Sequence, residues 1–229
     1  MKRLIVVRHG NTFRQHESPR RVGSRTDLPL VEEDRARWAG RFLADRGIRP
    51  DAIYTSPLQR TMETARLIKE ESGAECGIRI LHSLSEIDYG PDENKTEQEV
   101  YARLGRCLPY RPDKQTGGNE ELPEAAVLRR GRAAVDLWNS EAVPPLGWTV
   151  DVAGIIAAWR GLARDIAEGA NVLAVSSNGI IRFVPRILAD EDYEAFRKTE
   201  RMKVATGSVS IFEATDGKWR CAVWNAKKE

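Results

Sequence analysis

Leu4-Ile5-Val6-Val7 is an unbroken apolar run that stops abruptly at Arg8-His9-Gly10. A strand with one wet face alternates polar and apolar residues, whereas a run without alternation needs apolar cover on both sides. The run therefore demands a short strand buried in the middle of a sheet and ending in a loop. Two further segments read as short strands that lead into polar loops. Asp51 to Thr55 leads into Ser56-Pro57-Leu58-Gln59-Arg60, and Asn171 to Val175 leads into Ser176-Ser177-Asn178-Gly179. Ile78 to His82 makes a fourth candidate strand.

Helical spacing of apolar residues separates these runs. It marks Val31 to Ala44, closed by Gly47, then a helix opened by Ser56-Pro57 and running to about Glu71. Residues 83 to 95 read as loop, and Thr96 to Leu104 as helix. Two more helices fall near 124–139 and 151–168, on either side of Pro144-Pro145, and another begins at Gly179. The stretch from Pro109 to Pro123, rich in Pro, Gly and Asn, reads as an exposed loop. Near the end, Ser208 to Phe212 and Trp219 to Trp224 alternate around Asp216-Gly217, the signature of a hairpin. Strands alternating with helices predict an α/β fold, a three-layer αβα arrangement on a mostly parallel sheet. In such sheets ligands bind beyond the carboxyl ends of the strands. Arg8-His9-Gly10, the Ser56 to Arg60 segment and Ser176 to Gly179 all lie at such ends, and converge if their strands are neighbours.

Composition narrows the function. A formal net charge of +2 over 229 residues gives no footprint for nucleic acid or a membrane surface. No run approaches the ~18 apolar residues of a membrane span. The first apolar run is too short for a signal peptide, so a cytoplasmic location is expected. Cys76, Cys107 and Cys221 are scattered without a CxxC pair, which argues against a disulfide framework or a zinc site.

Arg8-His9-Gly10-Asn11-Thr12 carries the most chemistry. A neutral imidazole is a nucleophile near neutral pH and accepts a phosphoryl group. The adjacent guanidinium matches phosphate oxygens, Gly10 admits close backbone approach, and Asn11 and Thr12 add neutral donors. Arg60 lies one turn into a helix whose amino end favours an anion; alone it would read as a surface arginine. Glu86, in Ser85-Glu86-Ile87-Asp88-Tyr89-Gly90, is a candidate proton donor if its pocket raises its pKa, with Asp88 as the rival. Arg14, His16, Arg20, Arg21 and Arg25 follow the histidine motif closely. If they overhang the pocket, His16, Arg20 and Arg21 would contact a multiply anionic substrate.

Taken together, these segments resemble the histidine phosphatase (phosphoglycerate mutase-like) superfamily. The resemblance rests on the strand-RHG-N-T opening at Val6 to Thr12, on Gly23 and Asp27-Leu28-Pro29-Leu30, and on Tyr54-Thr55-Ser56-Pro57-Leu58-Gln59-Arg60-Thr61 with Thr64-Ala65. The Glu86 to Gly90 loop and an SxxGxIR element between Val172 and Arg182 complete it. It implies one domain over 1–229, with the unmatched 105–150 region as a helical cap or insertion. It also implies that His9 becomes phosphohistidine, that Arg8 and Arg60 hold the phosphoryl oxygens, and that Glu86 serves as acid and then base. No metal or other cofactor is implied.

One departure matters. Such proteins usually carry a second pocket histidine in a V-S-H-G-G-x-I-R segment, where this chain reads Val175-Ser176-Ser177-Asn178-Gly179-Ile180-Ile181-Arg182. Ser177 takes the histidine's position and Asn178 that of the next glycine, and both are expected to contact phosphate. A neutral hydroxyl donates about half as strongly as an imidazolium. Three functions follow: a phosphatase acting on a phosphorylated small molecule, slowed or re-tuned; a phosphoglycerate mutase-type transferase; or a phosphate-binding module without turnover. Asn11-Thr12 looks more like the phosphatase branch than the mutase branch. A homodimer is left open.

Overall fold

A computed structural model describes residues 1–108 and 123–228. Most of the loop expected from Pro109 to Pro123 lies outside the described residues. The chain forms two compact units, one of Met1–Glu17, Asp27–Ile87 and Asp151–Glu229, the other of Ser18–Thr26 and Asp88–Val150. The second begins earlier than the 105–150 insertion anticipated from sequence and also takes in a separate short segment.

The first unit is built on a six-stranded sheet. Its strands are β1 (Lys2–Arg8), β2 (Ala52–Thr55), β3 (Ile78–Ile80), β4 (Asn171–Ser176), β5 (Val209–Thr215) and β6 (Lys218–Ala226). Their spatial order is β3-β2-β4-β1-β5-β6. The first four pair in parallel, β5 pairs antiparallel with β1, and β6 pairs antiparallel with β5, so the sheet is mostly parallel, as the apolar runs required. Ile5, Val7, Ile53, Leu173, Val175, Val209 and Ile211 fill one face. They pack there with Ala39 and Leu43 of α1 (Asp34–Ala44) and Ala65 and Ile68 of α2 (Gln59–Ser72). The alternate residues Leu4, Val6, Val172 and Ala174 are equally buried, so both faces are covered. The hairpin turn falls at Asp216-Gly217, both with positive φ, at 51° and 78°, the geometry that joins twisted strands in two residues.

The helices follow the spacing with two differences. Helix α2 starts at Gln59 rather than at Ser56-Pro57. Leu58 is extended, and the Ser56 hydroxyl pairs with the Thr61 hydroxyl at 2.6 Å instead of capping a first turn there. The second difference concerns the segment between β4 and β5. After the short α6 (Asn178–Ile181) it holds a further helix, α7 (Asp190–Thr199), that the apolar pattern does not announce. No residue of α7 is buried.

The second unit pairs α3 (Glu97–Cys107) with α4 (Glu124–Glu141). Thr96 caps α3 in a reciprocal box with Glu99. The two helices approach so closely that a Cβ on Gly131 would lie 1.8 Å from the Tyr101 carbonyl oxygen. Asp92 anchors this unit. Fully buried, it accepts both guanidinium nitrogens of Arg103 at 2.5 Å and the Trp148 indole N–H at 2.7 Å. Removing one partner of such a pair strands the other's charge. Asp92→Ala should therefore destabilise the protein by about 3–5 kcal/mol, read as a lowered urea midpoint. An unchanged midpoint would refute the anchoring role.

Candidate active site

Parallel pairing brings the loaded segments together. Arg8 stands in register with Ser176, and Val7 and Thr55 both stand opposite Val175, so β1, β2 and β4 end on the same side of the sheet. The His9 N–H donates to the Ser176 carbonyl at 3.0 Å, which continues the ladder one step past the strand. Ser177 lies one residue beyond the same register. The strand neighbours that the sequence left undetermined are thereby fixed.

His9 is held in one tautomer. Its Nδ1 lies 2.7 Å from the Gly10 carbonyl oxygen. A carbonyl only accepts, so Nδ1 carries the proton and Nε2 keeps its lone pair. The ring is buried, and its pKa is pushed well below the usual value by loss of water, then by the charges of Arg8 and Arg60. The Gly10 hydrogen bond opposes this more weakly. Near neutral pH the ring is neutral, and Nε2 is the atom able to attack. The loop beneath is braced by Thr64, whose hydroxyl accepts the Gly10 N–H at 3.1 Å and donates to the Arg60 carbonyl at 2.7 Å. Thr64 thus ties the histidine turn to the first turn of α2. Its presence in the sequence block with Arg60 was the available signal for this role.

Arg60 is fully buried on α2, and Arg8 directs Nη1 to the Val204 carbonyl at 2.6 Å. Both guanidinium groups act on Glu86 as well as on His9, which puts each arginine within electrostatic reach of the imidazole and of the carboxyl. Glu86 is the buried acid. Its pKa is raised chiefly by loss of water. N–H bonds from Ile87 at 2.9 Å and Gly179 at 3.1 Å, together with the two arginines, pull in the other direction. Its rival Asp88, in the second unit, accepts from Arg25 at 2.9 Å and from the Gly90 N–H at 2.7 Å. The segment before Glu86 is pinned by Ser176, whose hydroxyl donates to the Leu84 carbonyl at 2.7 Å.

Gly179 is a residue whose role the sequence reading missed. A Cβ there would stand 2.1 Å from Glu86 Oε1, so only glycine lets the carboxylate lie against the start of α6. Ser177 is fully buried, and its hydroxyl has no hydrogen-bond partner among the described residues. A buried hydroxyl left unmatched is unusual and asks for an explanation.

Other expected contacts go elsewhere. Asn11 gives an amide hydrogen to Glu32 and accepts from the Thr206 hydroxyl, so it braces the loop rather than presenting its whole amide to an anion. The Asn178 side-chain Oδ1 accepts the Val204 N–H at 3.0 Å. His16 and Arg20 are exposed. Arg21 is not a freely projecting cation. In the second unit its guanidinium lies 5.0 Å from the Tyr89 ring centre and 4.6 Å from that of Trp148, and it donates to Glu97. A substrate contact from Arg21 would first have to open these. Among the described residues no cluster of three or more His, Cys, Asp or Glu side chains could hold a metal ion, and no helix is long and apolar enough to cross a membrane.

An imidazole whose Nε2 keeps its lone pair, two guanidinium groups and a buried carboxyl come from segments at the strand ends. The chain belongs to the histidine phosphatase superfamily (branch 1), whose model matches residues 4–144 and 138–227. It is 25% identical to a 2,3-bisphosphoglycerate-dependent phosphoglycerate mutase of Thermobifida fusca, over 94% of this chain and 88% of that protein. A mycobacterial glucosyl-3-phosphoglycerate phosphatase superposes with a TM-score of 0.67 at 20% identity, covering 99% of each chain. A phosphoserine phosphatase mutant from Entamoeba histolytica gives 0.63 at 19% identity, over 98% of this chain and 97% of that one. At these identities the structural likenesses speak for the fold alone.

Proposed function

We propose that this protein is a phosphomonoester phosphatase acting on a small phosphorylated metabolite of the cytoplasm through a phosphohistidine at His9. The observation that carries the reading is the fixed tautomer of a buried, neutral imidazole that feels both Arg8 and Arg60. The Nε2 lone pair attacks phosphorus, and the ester P–O bond breaks. Glu86, protonated, gives its proton to the departing alkoxide. Arg8 and Arg60 match the charge gathering on the equatorial oxygens. In the second half, the Glu86 carboxylate takes a proton from water as that water attacks phosphorus. The N–P bond breaks, phosphate leaves, and Glu86 is again protonated.

Ser177 fits this scheme as a neutral ligand in place of a second histidine, which gives its unmatched hydroxyl an acceptor. Loss of one preorganised donor typically costs about 2.7–4 kcal/mol at the transition state. Slow turnover is therefore expected, and Ser177→His should raise kcat. Unchanged or lower activity would mean a pocket re-tuned around serine.

The test is hydrolysis of a chromogenic phosphate ester by the wild type and by His9→Ala. Turnover confined to the wild type supports the proposal. Phosphate binding without turnover would instead indicate a binding module. The names of relatives such as the Thermobifida protein favour a second reading, a phosphoglycerate mutase-type transferase. Phosphoryl exchange between phosphoglycerates that depends on a bisphosphate primer would establish it.

A further inference from the structure

The segment between α7 and β5 has no regular structure, yet it clamps the histidine turn. The Gly207 N–H donates to the Arg8 and His9 carbonyls at 3.0 and 3.1 Å, and the Thr206 hydroxyl donates to Asn11. Buried backbone in such a segment needs side chains to satisfy it. Two asparagines do so. Asn225 accepts the Ala205 N–H at 2.7 Å, and Asn178 accepts the Val204 N–H at 3.0 Å. Val204 is itself 1% exposed, and its carbonyl receives Arg8 Nη1 at 2.6 Å. One residue thus joins two side chains: Asn178 holds its N–H, and its C=O holds the guanidinium.

We propose that Asn178 is a positioning residue for Arg8, acting through the backbone of Val204. The inference rests on the reading of Arg8 as a ligand of the phosphoryl group. The amide's orientation is not ambiguous, because the Val204 N–H can only donate and so must meet Oδ1. Glycine, the residue that the superfamily pattern places here, has no side chain to make this bond. The Ser177-Asn178 pair therefore differs from that pattern in two coupled ways. It places a neutral hydroxyl where an imidazole is usual, and it adds an amide that fixes an arginine present in either case. A guanidinium held from behind by a carbonyl keeps its fork in one plane, and bidentate recognition of an oxyanion depends on that geometry.

The experiment is a double-mutant cycle on the full chain, with inorganic phosphate as the probe and ester hydrolysis as a second readout. Asn178→Ala should weaken phosphate binding and lower kcat/KM by about 10- to 100-fold, the scale of a small misplacement of a contact group. Asn178→Gln, which keeps a neutral amide acceptor and adds no charge beside the phosphate, should restore most of the phosphate affinity. It also serves as the informative variant if Asn178→Ala fails to fold. In an Arg8→Ala background, Asn178→Ala should have almost no further effect. Equal effects of Asn178→Ala with and without Arg8 would overturn the relay, as would no effect in either background or no rescue by glutamine. If Arg8→Ala itself leaves phosphate affinity unchanged, the reading of Arg8 fails and takes the relay with it. In that case His9-dependent turnover still stands as a separate result.

Discussion

Glu86→Gln should slow hydrolysis of alkyl phosphates by about 10²–10⁴-fold, the range lost when a positioned acid is removed. Esters with good leaving groups should suffer much less, because their alkoxide needs no proton to depart. The same variant should change the pH profile. In the proposed mechanism, activity requires Glu86 protonated and His9 neutral. Burial raises the Glu86 pKa, so the wild-type rate declines on the alkaline side, as pH rises through that raised value. Burial and two cations lower the His9 pKa, so the acid limb lies below the ordinary histidine range, where the ring finally takes a proton. Glu86→Gln should lose the alkaline limb and keep the acid one. A Glu86→Gln enzyme with an unaltered profile and an equal slowing of good and poor leaving groups would remove Glu86 from the mechanism.

The second large effect is expected from Gly179→Ala. One methyl group would be placed 2.1 Å from Glu86 Oε1, and the carboxylate must move. Its bond from the Gly179 N–H would be lost with it. A displacement of about an ångström at a reacting group is enough for a 10²-fold loss in rate. The signature is a split: kcat should fall by at least about 10²-fold, while inhibition by inorganic phosphate, which relies on Arg8 and Arg60, changes little. Retention of near wild-type kcat would show that the carboxyl tolerates another position.

Legibility from sequence followed burial. Strands β1 and β4 were readable because each is covered on both faces and so reads as an apolar run, whereas β2, whose alternate residues are only half-buried, was marked by its place before Ser56-Pro57. The hairpin was readable because Asp216-Gly217 suits two successive positive φ angles. Helix α7 was not, since none of its residues is buried and no apolar stripe marks it. Its only announcement was charge, with Asp190, Glu191 and Asp192 in the first turn and Arg197 and Lys198 in the last, matching the helix dipole. At the site, His9, Arg8, Arg60 and Glu86 stand out by residue type and by their place after strands. What separates Glu86 from Asp88 is burial, which the sequence does not state. Gly179 and Val204 were hidden for another reason. The first matters for the atom it lacks, and the second acts through its backbone.

Covalent capture of phosphorus by His9 Nε2 is the central step of the proposed function. Mixing the protein with a radiolabelled phosphate ester and quenching in base, where phosphoramidates survive, tests this directly. Label should be found on His9 alone, disappear on brief acid treatment, and be absent from His9→Ala. Steady turnover with no label on His9, or a His9→Ala protein that hydrolyses the ester at the wild-type rate, would contradict it.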